Sequence, residues 1–300
     1  MNRVITLWKF SRPHTVIGSV ISICTLFIII CDKNRMEHLP LLVMALTIGI
    51  ACNIFIVGLN QVADVNLDKI NKPYLPIPSG ELSIPQAKII VYTALILSLA
   101  LAFYISPYLF GIIALSNTIG WAYSTRPLFL KSHHLTAALS ISIIRGVMIN
   151  LGGFLVFNYL VNNSLEIPTD VKILTIFIIV FSIAIAWFKD LPDMEGDARY
   201  NIKTFALLYS PKTALIAGNL MVVTAYLFTI YVKLIFFFTS DVPSFETKVL
   251  LYGHIILFIL FVINAFSVRL SERRSINKFY KRFWWFFFAE YIVYMVAFVS

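Results

Sequence analysis

Six of the fifteen acidic residues of this chain gather in two short stretches. Asp64 and Asp68 lie in the first, and Asp190, Asp193, Glu195 and Asp197 in the second. Asn60, Asp64 and Asp68 are spaced i, i+4, i+8, and on a helix they stack along one face. Two carboxylates and an amide at one-turn spacing offer a row of oxygen ligands to a hard divalent cation such as Mg²⁺. Asp193 and Asp197 repeat the i, i+4 pair, with Asp190 one turn earlier. Like charges at this spacing repel unless something positive sits between them.

Basic residues flank both stretches. Lys72 follows the first and Lys189 and Lys203 bracket the second, while Arg126 and Lys131 lie between two apolar runs. Carboxylate pairs holding metal, ringed by lysine and arginine, make a site for a diphosphate. An apolar remainder of the substrate would run into surrounding hydrophobic helices, which describes an isoprenyl diphosphate. The competing readings are solvated loop acids and a cation-coupled transporter. Transporter carboxylates usually sit at mid-span, and these lie at helix ends. A calcium loop is excluded by the spacing.

The elements that must position these residues are membrane helices. The 300 residues are 59% hydrophobic and 13% charged, whereas soluble domains run near 45–50% and about 25%. Nine apolar runs are expected to span a bilayer: 15–31, 39–59, 89–106, 107–125, 135–161, 173–188, 213–238, 249–268 and 283–300. Arg12 and Asp32-Lys33 bound the first run, and Ser106-Pro107 turns the third into the fourth. With the N-terminus inside, Lys33, Arg35, Lys172, Lys233 and Lys248 alone fall outside, and Arg145 alone sits mid-span. This bias predicts an N-in, C-out protein whose two long loops, near 60–88 and 188–212, share the cytoplasmic face.

The net charge of +9 is then a matter of topology and of anionic lipid, not of nucleic acid. Cys24, Cys31 and Cys52 share no metal spacing and read as small core residues. The histidines form no metal cluster. His14 is placed to close the inner mouth of the bundle. The run Phe283-Trp-Trp-Phe-Phe-Phe288 reads as an interfacial belt followed by lipid-facing surface. No separate soluble domain is visible, so residues 1–300 form one all-helical domain.

The chain resembles the UbiA superfamily of intramembrane aromatic prenyltransferases. Asn60-Gln-x-x-Asp64-x-x-x-Asp68 is similar to that family's first Asp-rich motif, and Asp193-x-x-x-Asp197 to its second. The phrases VGLNQVADVNLDKINKPYLPIPSGELS, KDLPDMEGDARYNIKTFA and RGVMINLGGF resemble the homogentisate prenyltransferase branch. Tyr123-Ser-Thr-Arg126-Pro127 departs from the two prolines that relatives often carry there. The resemblance implies a nine-helix bundle with a lipid-open central cavity capped by the motif loops. It also implies Mg²⁺-dependent transfer of a prenyl group from its diphosphate to a phenolic acceptor. Homogentisate leads as acceptor, with a hydroxybenzoate or naphthoate as alternatives. A non-catalytic isoprenoid-binding protein is the reading from another class. A plastid-type leader is absent from the sequence, which favours a bacterial inner membrane.

On this basis two Mg²⁺ ions are expected, one held by Asn60, Asp64 and Asp68, the other by Asp193 and Asp197. Lys131 and Lys203, with Arg126, Lys72 and Lys189, hold the outer diphosphate oxygens. Asp190 is a candidate base, an orienting group for a phenolic hydroxyl, or a structural acid. Arg145 is costly inside a span unless paired or facing a polar cavity. It can bind an acceptor carboxylate, bind phosphate, or pair with an inward acid. Asn53 and Asn150 are cavity liners or interhelical hydrogen-bonding residues. Among the rings, Phe103, Trp121, Phe154 and Trp187 are candidate liners that packing explains equally, and Tyr123, beside a motif loop, is the favoured one.

Overall fold

A computed structural model describes residues 3–31 and 35–299. Asp32 and Lys33, taken as the outer boundary of the first span, and the terminal Ser300 lie outside the described residues.

Among those residues the regular elements are all helices, joined by loops. In order, the elements are α1 (Arg3–Phe10), α2 (Pro13–Ile30), α3 (Leu39–Ala63), α4 (Val65–Asn71), α5 (Ile84–Ile105), α6 (Pro107–Ser124) and α7 (His134–Ser142). A π-helical stretch (Ile143–Gly153) leads into α8 (Phe154–Asn162), which is followed by α9 (Thr169–Asp190), α10 (Met194–Arg199) and α11 (Phe205–Leu208). The chain ends with α12 (Pro211–Thr239), α13 (Phe245–Phe266) and α14 (Arg273–Phe298). Each of the nine expected runs overlaps a helix among the described residues. Among the described residues seven helices are long and apolar enough to cross a membrane by those measures alone, and α6 and α14 are not among them, so seven of the nine expected spans are matched. The protein is thus a multi-pass membrane protein of the all-α class.

Start signals recur at the helix ends. Ser83 caps α5 with a reciprocal Gln86 capping box and a proline inside the first turn. Ser106 serves twice, as the last residue of α5's turn and the N-cap of α6. That single extended residue is the expected tight turn between antiparallel neighbours.

Helices α2, α3, α6, α7–α8, α9 and α14 close a ring, each packing on its neighbours, with α5, α12 and α13 outside it. The short sixth run, expected at 173–188, extends to 169–190 and is the most buried of the seven spans. Its Phe177, Phe181 and Phe188 are sealed in the largest hydrophobic cluster. Gly146 sets the distance between the π-helical stretch and α9, because a Cβ there would collide with Ile179. Small residues at such crossings let membrane helices approach closely enough for dispersion to hold them.

The run at 283–288 corrects an expectation. Phe283, Trp284, Phe287 and Phe288 are buried, and Trp285 faces outward. One face of α14 thus belongs to the interior. Where both lipid and protein interior are apolar, ring composition does not say which face turns inward.

Candidate active site

A cavity of about 250 Å³ occupies the middle of the ring. On α2 its lining residues begin at His14 and continue to Ile30. At 1.5 Å per residue this is roughly 24 Å of channel. The walls are mostly aliphatic, and polar groups gather at one end, where Asn60, Tyr123 and Lys189 reach the lining. The same end carries α4 and α10.

Helix α3 stops at Ala63, and Asp64 both closes it and opens α4. The expected continuous helix is therefore two helices with a break at a motif residue. The one-turn spacing survives the break, because Asp64 N donates to the Asn60 carbonyl at 2.9 Å and Asp68 N to the Asp64 carbonyl at 2.7 Å. Asn60 Nδ2 donates to Asp64 Oδ2 at 2.8 Å, and Arg12 Nη2 donates to Asn60 Oδ1 at 3.2 Å. Arg12 is thereby a site residue that spacing alone did not reveal. Its signal was a left-handed backbone at the Arg12-Pro13 start of α2, which only the fold displays.

The second motif is built alike. Asp193 is the N-cap residue of α10, and Asp197 N donates to the Asp193 carbonyl at 3.1 Å. Asn71 ties the two motifs together. Its Oδ1 accepts from Gly196 N at 2.9 Å and its Nδ2 donates to Asp197 Oδ1 at 3.4 Å. A side chain at position 196 would overlap Asn71, so glycine is required there by space.

Lysines stand between the acids. Lys131 pairs with Asp64 and Lys72 with Asp193. Lys189 approaches Asp190 at 3.3 Å and donates to Tyr123 Oη at 2.8 Å. Burial pulls Lys131 below the usual lysine range, with Asp64 opposing. Burial raises Asp68, against the pull of Arg12 and Lys72. Asp197 is pushed up to about 7 by burial and then by Asp190 and Asp193. Asp68 is 3% exposed, and its Oδ2 has no hydrogen-bond partner.

Among the described residues no three His, Cys, Asp or Glu side chains converge tightly enough to hold a metal as they stand, and lysines pair with two of the carboxylates. The donor set nevertheless fits a hard cation. It is all oxygen, it contains an orphaned buried carboxylate oxygen, and it crowds acids that resist ionisation until a positive charge arrives.

The remaining sequence-derived residues divide. Tyr123, Asn53 and Arg145 line the cavity; Asn53 also donates to the Ser11 carbonyl at 3.3 Å. Asn150 does not line it. It is fully buried and hydrogen-bonds Tyr291 Oη, with Nδ2 to Oη at 2.8 Å, so the interhelical alternative describes it. Lys203 is exposed and joins the site through its backbone, donating to the Ser132 carbonyl at 2.8 Å. This brace seats the loop that carries Lys131 and leaves the Lys203 side chain exposed beside the site. Arg126 is exposed, sits 5.9 Å from the Phe129 ring and borders a side cleft with Asp64. Of the candidate rings only Tyr123 reaches the cavity. Phe103 and Trp121 are exposed, Phe154 is in the core, and Trp187 stacks on Phe205. The aromatic wall is supplied by α14 instead, through Tyr280, Trp284, Phe287 and Tyr291.

Comparison with known proteins agrees with this architecture. The model of the UbiA prenyltransferase family matches residues 21–287. The homogentisate phytyltransferase of Synechocystis sp. is 36% identical over 99% of this chain and 96% of its own. Homogentisate phytyltransferase 1 of Arabidopsis thaliana, a chloroplast protein, is 34% identical over 95% of this chain and 73% of its own. The solved structure of a UbiA homolog from Archaeoglobus fulgidus, bound to DMAPP and Mg²⁺, superposes with a TM-score of 0.65 at 17% identity, covering 96% of this chain and 99% of that one. The chain belongs to the UbiA prenyltransferase family. It is an enzyme of the aromatic prenyltransferase class, the class to which these full-length relatives belong.

Proposed function

We propose that the protein transfers an isoprenyl group from its diphosphate to homogentisate, releasing diphosphate, with Mg²⁺ as cofactor. The observation that carries this is the joining of α4 and α10, with their acids and the lysines beside them, over one end of a largely apolar channel. The site opens toward the cytoplasm in our reading, in keeping with the basic residues at that end, and the membrane is a bacterial inner membrane. Asn60, Asp64 and Asp68 hold one ion, and Asp193 and Asp197 a second. Bound there, Mg²⁺ neutralises charge that accumulates on departing diphosphate.

The protein's own residues do the rest. Lys72, Lys131 and Lys189 are within reach of diphosphate oxygens once released from their carboxylates. Tyr123, oriented by Lys189, presents its ring to the allylic carbon, where a π face shelters positive charge. Aliphatic walls exclude the water that would quench that cation. Asp190, buried beside Lys189, is the group placed to take the ring proton if the acceptor keeps its carboxylate.

The test uses purified protein in nanodiscs with Mg²⁺, homogentisate and C10 to C45 prenyl diphosphates, following product and pyrophosphate by mass spectrometry. Metal-dependent product that disappears in Asp64→Asn and Asp193→Asn is the expected result. Reaction with another phenol but not homogentisate would overturn the acceptor. Full activity in both variants would overturn the site.

Channel length makes a further prediction. An isoprene unit adds four chain carbons, roughly 5 Å when extended, so four units, roughly 20 Å, fit within the roughly 24 Å of channel estimated above while a fifth overruns it, and a C20 donor is expected to be best. Gly153 lines the far part of the cavity, and a Cβ there meets nothing closer than 3.8 Å. Gly153→Phe plugs that part. Turnover of C20 donors is expected to fall about tenfold or more while C10 and C15 donors become preferred, as competition assays with mixed donors will show.

A further inference from the structure

Arg145 is the one guanidinium in the cavity wall, and among the described residues it makes neither an ion pair nor a side-chain hydrogen bond. Its charge is held in place by other means. The guanidinium carbon lies 4.8 Å from the Trp284 ring centre and 5.3 Å from that of Phe287. Its backbone carbonyl accepts from Asn150 Nδ2 at 2.8 Å, and Asn150 is fixed in turn by Tyr291. The residue sits in the π-helical stretch Ile143–Gly153, and π-helical turns are uncommon and frequent at functional sites. Trp284 also meets His14 at 4.7 Å, on the first turn of α2. The guanidinium is therefore close to the polar end of the channel.

A permanently charged group facing an apolar cavity without a counter-ion is expensive. Rings shelter its flat faces and leave its N–H edge for a planar anion, which arginine binds in a two-pronged fashion. The diphosphate has lysines of its own beside the motif acids. We propose that Arg145 binds the carboxylate of the aromatic acceptor, making the enzyme selective for phenols that carry an acidic arm over neutral phenols. This rests on the proposed reaction and adds a selectivity determinant to it. The acceptor ring then lies against Trp284, its carboxylate on Arg145 and its nucleophilic carbon toward the allylic end of the donor.

The experiment compares homogentisate with methylhydroquinone, which has a methyl group in place of the carboxymethyl arm. Both are assayed in nanodiscs with Mg²⁺ and a C20 donor. Wild type is expected to prefer homogentisate about a hundredfold in kcat/KM. Arg145→Gln is expected to bring that ratio close to one, mainly by raising the KM for homogentisate. The KM for the prenyl diphosphate should move less than about twofold. Arg145→Lys keeps the charge and loses the fork, and is expected to retain part of the preference. Equal losses for both acceptors would overturn the proposal in favour of a structural role, and a raised KM for the donor would overturn it in favour of phosphate binding. If homogentisate itself does not react, the acceptor reading fails separately. The same comparison of 4-hydroxybenzoate with phenol then decides Arg145, with persistence of the ratio in Arg145→Gln counting against it. Should Arg145→Gln fail to fold, equilibrium binding to wild type decides, and equal affinity for homogentisate and methylhydroquinone would overturn the proposal.

Discussion

Asp68→Asn is expected to lower turnover by about a thousandfold, the scale seen when a group aimed at developing charge is removed, without loss of stability. The two halves of this result come from one observation. Asp68 is buried, its Oδ2 is unpartnered, and burial raises its pKa against the pull of Arg12 and Lys72. A carboxylate whose pKa is higher in the folded protein than in the unfolded chain costs stability once the pH exceeds the unfolded value. Asparagine removes that cost. Thermal unfolding of the metal-free variant at pH 7–8 should therefore occur at the wild-type temperature or above it. The difference should shrink as the pH falls through the raised pKa, where Asp68 is already protonated. An acid that served the fold would show the reverse, with stability falling and turnover per folded molecule preserved.

Glu290→Ala should do just that. Glu290 lies inside α14 on the side away from the cavity, fully buried, with Oε1 2.9 Å from His254 Nε2 on α13. Glu290 Oε2 and the hydroxyls of Tyr226 and Tyr294 have no hydrogen-bond partners. Removing one member of a buried pair leaves the other desolvated and unmatched, at a cost of about 3–5 kcal/mol. Unfolding in detergent should shift accordingly, while the KM values of the molecules that remain folded stay near wild type. The double substitution His254→Leu with Glu290→Leu should recover most of the loss, since two apolar side chains need no partner. A pair that contributed net stability beyond packing would leave the double variant as weak as the single one.

The contrast between these two acids shows how far the sequence reached. Asp68 was legible because its neighbours Asn60 and Asp64 stand at one-turn intervals, and local spacing survives any tertiary arrangement. Membrane helices were legible for the same reason, as their apolar runs are contiguous. Glu290 stands within the apolar run 283–300 with nothing near it in sequence to announce a role, because its partner is 36 residues away on another helix. The inward face of α14 was equally hidden. A helix that is apolar all round has no hydrophobic stripe to announce its core side, so Trp284 and Phe287 read as a lipid belt. Lys203 shows what local spacing leaves out. Its position beside a motif is plain in the sequence, whereas the backbone contact to Ser132 that seats the Lys131 loop appears only in the fold.

The contact of Asn71 with Gly196 constrains how such an enzyme can be rebuilt from parts. The amide of one loop fills the space a side chain would take in the other, so neither loop is a free module. A chimera that takes residues 60–88 from a relative and keeps residues 188–212 keeps the gap at Gly196 and depends on the donor for the side chain that fills it. The reverse exchange risks a collision. The two segments are a single inheritable unit divided by more than a hundred residues of chain, and grafts should carry both.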